Sequence, residues 1–207
     1  MAVTAQMVKE LRDETGASFL DCKKALEEYG GDVERAKKYL AEKGLATARK
    51  KADREAREGV IETYTHPGAR VGVMLELNCE TDFVARTERF RELAHDLALH
   101  IAFAAPAYVD VQDIPPAVLE EQRARFREEA KAQGKPDSVV ERIVEGRLEK
   151  YYAEVCLLRQ PFVRDDEKTV ADVIVAAIAE LKENIRVSRF VRYALGEAPD
   201  GSGGNPA

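Results

Sequence analysis

Residues Val60–Leu77 read VIETYTHPGARVGVMLEL, and this stretch decides the fold class. On either side of HPGAR, the runs Val60 to Thr65 and Val71 to Leu77 follow a period of two rather than the helical 3.6. That period puts successive side chains on opposite faces of a strand. Pro67 and Gly68 supply the turn chemistry. The pattern predicts an antiparallel hairpin whose second strand, the more apolar, is the more central.

Upstream of the hairpin the period is helical. Met7, Val8 and Leu11, then Phe19, Cys22, Ala25 and Leu26, then Val33, Ala36, Lys37 and Leu40 recur at helix spacing. Each group is followed by glycine, first Gly16, then Gly30 and Gly31, then Gly44, the residue that tolerates a left-handed helix stop. A three-helix module over residues 1–45 is the economical reading. Residues 46–58, ATARKKADREARE, carry five basic and three acidic side chains and little that is apolar beyond alanine, and read as a basic, solvated linker for which a helical conformation stays open.

Downstream, Phe90, Leu93, Ala94, Leu97, Ala98, Ile101 and Ala102 form one buried helix stripe ending near Pro106. Two charged helices follow, Ala117 to Gln133 and a second opened by a capping box from Ser138 to Glu141 and running to about Leu158. Joined by AQGKPDS, they predict an antiparallel helical hairpin with its tip in solvent. KTVADVIVAAIAELKENI reads as a core helix capped by Thr169, RVSRFVRYAL as a last strand, and residues 197–207 as a disordered tail. The fold class is therefore α+β: a three-helix module, a linker, and a core over 59–196 of about three antiparallel strands covered by helices.

Composition narrows the function. The 207 residues carry a formal net charge of −6, which opposes a globally nucleic-acid-binding surface. Cys22, Cys79 and Cys156 are far apart, odd in number and without ligand spacing, as expected of a reducing cytoplasm. Neither an apolar leader core nor a run of about 18 apolar residues is present, so no signal peptide or membrane span is expected. The phosphate-loop, dinucleotide, nucleophile-elbow and zinc-protease motifs are all missing. His95 and His100, five apart on one helix, point about 140° from each other, so no metal site is expected. No catalytic residue, cofactor or metal is assigned. Arg49, Lys50, Lys51 and Arg54 leave an RNA contact as one alternative, although no aromatic platform interleaves with them. A passive interaction module is another.

The segment after the hairpin, ELNCETDFVAR at 76–86, raises a sharper question. Phe83 precedes Phe90 by seven residues, which on an unbroken helix gives it the same buried face. Core packing, with Asp82 as a turn or helix-start anion, is the reading that general physics favours. Arg86 and Thr87 nevertheless interrupt the stripe, and Thr87 is a good N-cap. Phe83 on a separate turn ahead of the helix, as an exposed anchor, stays open.

Two segments, LRDETGASFLDCKKAL at 11–26 and ELNCETDFVAR, resemble the signature motifs of bacterial elongation factor Ts, the exchange factor for the translational GTPase EF-Tu. The resemblance continues in KPDSVVERIVEGRLEKYYAEVCLLRQPFV and RFVRYALG, and so spans nearly all of residues 1–196. It implies a head similar to a ubiquitin-associated domain, a linker, and an α+β core bearing a helical hairpin. It implies that Thr81, Asp82, Phe83 and Val84 meet the nucleotide domain of EF-Tu, and that the phenylalanine enters an apolar pocket and disturbs the Mg²⁺·GDP site. It assigns Arg12, Phe19, Leu20 and Lys23 to docking of the head; long members of the family carry methionines at 19 and 20. It implies a protein of the cytoplasm that binds EF-Tu in its GDP-bound and nucleotide-free states, with no membrane and no direct nucleic-acid partner. The chain has room for one core subdomain where long members have two. Pairing of two copies through the C-terminal strand, as in short members, would supply the second.

Overall fold

The computed structural model describes residues 3–197, and the expected disordered tail lies outside the described residues apart from Glu197. The elements run α1 (Ala5–Thr15), α2 (Phe19–Glu28), α3 (Val33–Lys51), β1 (Glu58–Thr65), β2 (Val71–Cys79), α4 (Asp82–Ala85), α5 (Glu88–Ala104), α6 (Pro116–Ala132), α7 (Asp137–Val155), β3 (Pro161–Phe162), β4 (Asp165–Thr169), α8 (Val170–Leu181) and β5 (Arg186–Ala194). The protein is α+β, as its sequence predicts. β1 and β2 form the hairpin, closed by the His66 N–H donating to the Val71 carbonyl at 2.9 Å. β2 is central in a three-stranded sheet of order β1-β2-β5.

Contacts divide the chain into two units, one of Met1–Glu62, Leu75–Asp96 and Ala171–Ser188, the other of Thr63–Met74, Leu97–Val170 and Arg189–Ala207. In the first, Val8, Leu11, Cys22, Ala25, Leu26, Ala36 and Leu40 make the core of the three N-terminal helices. Each helix begins on a polar cap, Thr4, Ser18 or Asp32, whose side chain accepts a backbone N–H of the first turn. Gly16 ends α1 at φ 67°. Phe19, though at helical spacing with that core, stays outside it.

Helix boundaries differ from expectation at α3, at α7 and at α8, which ends at Leu181, before the KENI of the expected core helix. Gly44 does not stop the third helix, which continues into the expected linker as far as Lys51. Gly44 lies inside the helix beside α8, where a Cβ would stand 3.5 Å from Val175 Cγ1 and 3.8 Å from Ala179 Cβ, both ordinary van der Waals distances. A helix-interior glycine costs about 1 kcal/mol in propensity, and the packing around it does not require one.

The second difference is at α7 in the other unit. The expected Ser138–Glu141 capping box does not form; the helix starts at Asp137 behind Pro136, with no side-chain cap. Glu141 is instead spent on a bidentate pair with Arg127 on α6, at 2.8 and 3.1 Å. Arg123–Glu145 at 2.9 Å and Arg147–Glu129 add further antiparallel cross-links between the two helices. Beneath them lie Val140, Val144, Leu148, Tyr152 and Ala130. The tip residues 133–137 are exposed, as the charge pattern predicts.

The short antiparallel ribbon of β3 and β4 was not expected. Its strands are too short and polar to show alternation. It is joined to α5 by His100, which is 1% exposed. The Val163 N–H donates to His100 Nδ1 at 3.2 Å, so the ring proton sits on Nε2 and is donated to Gln160 Oε1 at 2.9 Å. Burial holds the His100 pKa below its ordinary value. His95, by contrast, is exposed beside Glu62 at 3.1 Å.

Candidate functional site

The segment that carries Phe83 starts where β2 ends. Thr81, in an extended conformation, caps α4 by accepting the Val84 N–H at 3.4 Å. α4 is a single turn, and Thr87 then caps α5 by accepting the Phe90 N–H at 3.3 Å. Two caps six residues apart break the helix into a turn and a new start, so Phe83 does not continue the α5 stripe. Val84, 6% exposed, and Ala85 face inward, whereas Phe83 is 78% exposed. Of the four residues of the motif, Val84 is thus the inward anchor of the turn. Asp82 and Phe83 are its outward face, and Asp82 makes an exposed i, i+4 pair with Arg86 at 2.7 Å.

The turn rests on a polar brace that no sequence pattern reveals. Beyond α8 the chain turns at Lys182, in the left-handed region at φ 61°, and presents Glu183 and Asn184. Glu183 Oε2 accepts the Glu80 N–H at 3.1 Å and the Thr81 N–H at 3.0 Å, and its Oε1 accepts the Thr81 hydroxyl at 2.6 Å. In return, Glu80 Oε1 accepts the Asn184 N–H at 2.6 Å. Asn184 Nδ2 donates to the carbonyls of Ala52 at 3.3 Å and Arg54 at 2.8 Å, just beyond α3. Burial would push the Glu80 carboxyl up, but the Asn184 N–H and the Arg54 guanidinium outweigh it and hold the pKa below the usual carboxylate range. Next door, burial with the negative charge of Glu183 pushes the Cys79 thiol up to about 11, and its sulfur donates to the Thr81 carbonyl at 3.2 Å.

The second patch lies on α1 and α2. Phe19 and Leu20, 49% and 59% exposed, open α2 directly behind its cap, where a first-turn residue has few helix neighbours to cover it. Lys23, one turn beyond Phe19, is exposed and pairs loosely with Glu27 at 3.7 Å. Arg12 is exposed in the last turn of α1. Asp21 holds α2 to α3 by accepting from Lys43 at 2.7 Å, and that hydrogen bond, with the one from Ser18, lowers its pKa.

Among the described residues, no three His, Cys, Asp or Glu side chains gather closely enough to hold a metal ion. No described helix is long and apolar enough to cross a membrane. The three cysteines are buried thiols.

Fold and surface together define an α+β protein that offers two apolar patches, each at a helix start and each on a braced backbone. The sequence profile described as Elongation factor TS matches residues 5–197. Elongation factor Ts of Coprothermobacter proteolyticus is 54% identical over 197 residues, covering 95% of this chain and 100% of that protein. The protein of the same name from Thermodesulfovibrio yellowstonii is 54% identical over 200 residues, 97% of this chain and 100% of its own. That of Thermosipho melanesiensis is 51% identical over 195 residues, 94% and 100% of the two chains. The chain belongs to the elongation factor Ts family, a family of translation elongation factors.

Proposed function

We propose that this chain is a guanine-nucleotide exchange factor for the translational GTPase EF-Tu, acting in the cytoplasm by binding alone. Thr81, Asp82 and Phe83 are its contact with the nucleotide domain, and the Phe83 ring is the group that enters the partner and loosens the Mg²⁺·GDP site. Arg12, Phe19, Leu20 and Lys23 of the ubiquitin-associated-like head dock on the same domain. The observation that carries this reading is the 78% exposure of a phenylalanine on a single turn fixed at its base. A large apolar side chain left in water on a rigid backbone suits a pocket in another protein, because its ordering entropy is lost before binding.

No covalent bond is made or broken in such a mechanism. An exchange factor holds the nucleotide-free partner more tightly than the GDP-bound one, and linkage then weakens GDP by the same factor. Burying one phenylalanine contributes about 1.5 to 3 kcal/mol, about ten- to a hundredfold. That is too little to offset a GDP·Mg²⁺ held by octahedral oxygens and a backbone cradle. The remainder comes from the head, and Phe83 spends its share at the one place where a small displacement breaks a metal bond.

A second part of the proposal concerns assembly. β5 is an edge strand of the three-stranded sheet, and Tyr193 and Leu195 at its end are exposed. An unpaired edge favours another strand, so we assign β5 as the seam of a homodimer. Fluorescent GDP preloaded on EF-Tu tests the main claim in one stopped-flow trace. Addition of this protein is expected to accelerate the release, and an unchanged rate would leave it a passive interaction module.

A further inference from the structure

The strongest unassigned group is the Glu183 carboxylate, which makes three hydrogen bonds to the segment just before Phe83 while standing 102 and 103 positions away along the chain. We propose that Glu183 is the positioning residue of the exchange contact: it clamps the Glu80–Thr81 backbone and so fixes the direction in which Phe83 is presented.

The proposal rests on the Phe83 reading above and deepens it. α4 holds one turn, too short to fix its own axis, since a first turn orders several dihedrals for one hydrogen bond. Its start must be set from outside. Glu183 sets it through both backbone N–H groups of the turn and the hydroxyl that serves as the α4 cap. A charged acceptor with three donors is the strong form of the hydrogen bond and tolerates little rotation. Glu183 is itself held, because the next residue, Asn184, is buried and donates to Glu80, Ala52 and Arg54. The same brace therefore ties the exit of α3, the helix that ends the docking head, to the turn that carries Phe83. Glu183 is only half-buried. Its removal is expected to free the turn without unfolding the chain.

Chemistry separates this role from a general need for negative charge. Glutamine at 183 keeps the length; its oxygen accepts both N–H groups and its amide donates to Thr81 Oγ1. Aspartate keeps the charge but is one methylene too short to span the three donors. The test measures amide hydrogen exchange of Glu80 and Thr81 in the full chain, and stimulated GDP release from EF-Tu, for Glu183→Ala, Glu183→Gln and Glu183→Asp, alone and combined with Phe83→Ala. We expect Glu183→Ala and Glu183→Asp to speed exchange of those two amides at least about tenfold with β2 unchanged. Their GDP-release rates should fall about tenfold, Glu183→Gln should recover most of the loss, and in the Phe83→Ala background Glu183→Ala should cost less than about twofold more, as a residue acting through another does. Losses that multiply, unaltered amide exchange, or aspartate rescuing where glutamine does not would overturn the proposal. Wild-type GDP release from Phe83→Ala alone would instead overturn the wedge reading on which it rests, and the two failures are thus distinct.

Discussion

At the scale of single residues, exposure and attachment divide the labour. Phe19 and Leu20 are half-exposed at a helix start, so their truncation should leave the head folded and weaken docking. The double variant Phe19→Ala/Leu20→Ala is expected to raise the concentration of this protein needed for half-maximal GDP release by about ten- to a hundredfold, with a smaller change in the saturating rate; a titration of stimulated release reads both. His100 makes the opposite kind of prediction. Its Nδ1 is occupied by the Val163 N–H, and Gln160 and the Phe162 ring, stacked at 5.9 Å, complete its surroundings. A proton on Nδ1 would face that N–H. Because burial holds the folded pKa below the ordinary imidazole value of 6.5, the unfolded chain binds the proton more readily, and the stabilisation is full above about 6.5 and is lost as pH falls below it. Thermal unfolding followed from about pH 8 to pH 5 should therefore show a falling midpoint. His100→Gln should be less stable at the upper end and flatter across the window; an equal slope in both proteins would assign the acid sensitivity elsewhere.

Among the elements, close approach of backbone matters as much as apolar stripes. Gly59 stands in β1 at φ 147°, where a Cβ would meet the Leu77 carbonyl oxygen at 2.1 Å. No side-chain motion relieves a clash with backbone, so Gly59→Ala should destabilise the protein by more than about 3 kcal/mol, or prevent folding, as denaturant unfolding would show. At Gly44 the neighbours are side chains at ordinary contact distance, 3.5 Å for Val175, so Gly44→Ala should fold and gain up to about 1 kcal/mol from helix propensity. The same contrast explains what the sequence made legible. The β1–β2 hairpin, the α5 stripe and the α6–α7 hairpin follow from periodicity and turn chemistry, which are local. Gly44 does not act as a stop although glycine at a helix end favours one, and Glu141 turns to Arg127 on α6 rather than back to its own helix start, a partner the local pattern around Ser138 does not contain. The β3–β4 ribbon left no pattern to read. At Phe83 the broken stripe at Arg86 and Thr87 was visible, while general burial preference pointed inward; the two caps decide for the exposed turn. Glu183 was invisible because its charge sits in an ordinary LKENI helix end, 102 residues from Thr81.

For the molecule as a whole, the exposed Phe83 turn and the exposed Phe19–Leu20 pair are each tied down by hydrogen bonds at their base. Family membership places it among the elongation factors Ts, and the proposed exchange follows from presenting the Phe83 ring to a partner at little ordering cost. If β5 is the seam of a dimer, light scattering should give twice the monomer mass, and Val191→Lys, which introduces a charge on that strand, should return the monomer; monomeric wild-type protein would refute the assignment. The most direct measurement of the central claim compares wild type with Phe83→Ala in stopped-flow release of fluorescent GDP from EF-Tu, each protein having first been checked by thermal unfolding. The account predicts a release rate lowered at least about tenfold in a protein with an unaltered unfolding midpoint. An unchanged release rate, or a variant that no longer folds, would contradict it.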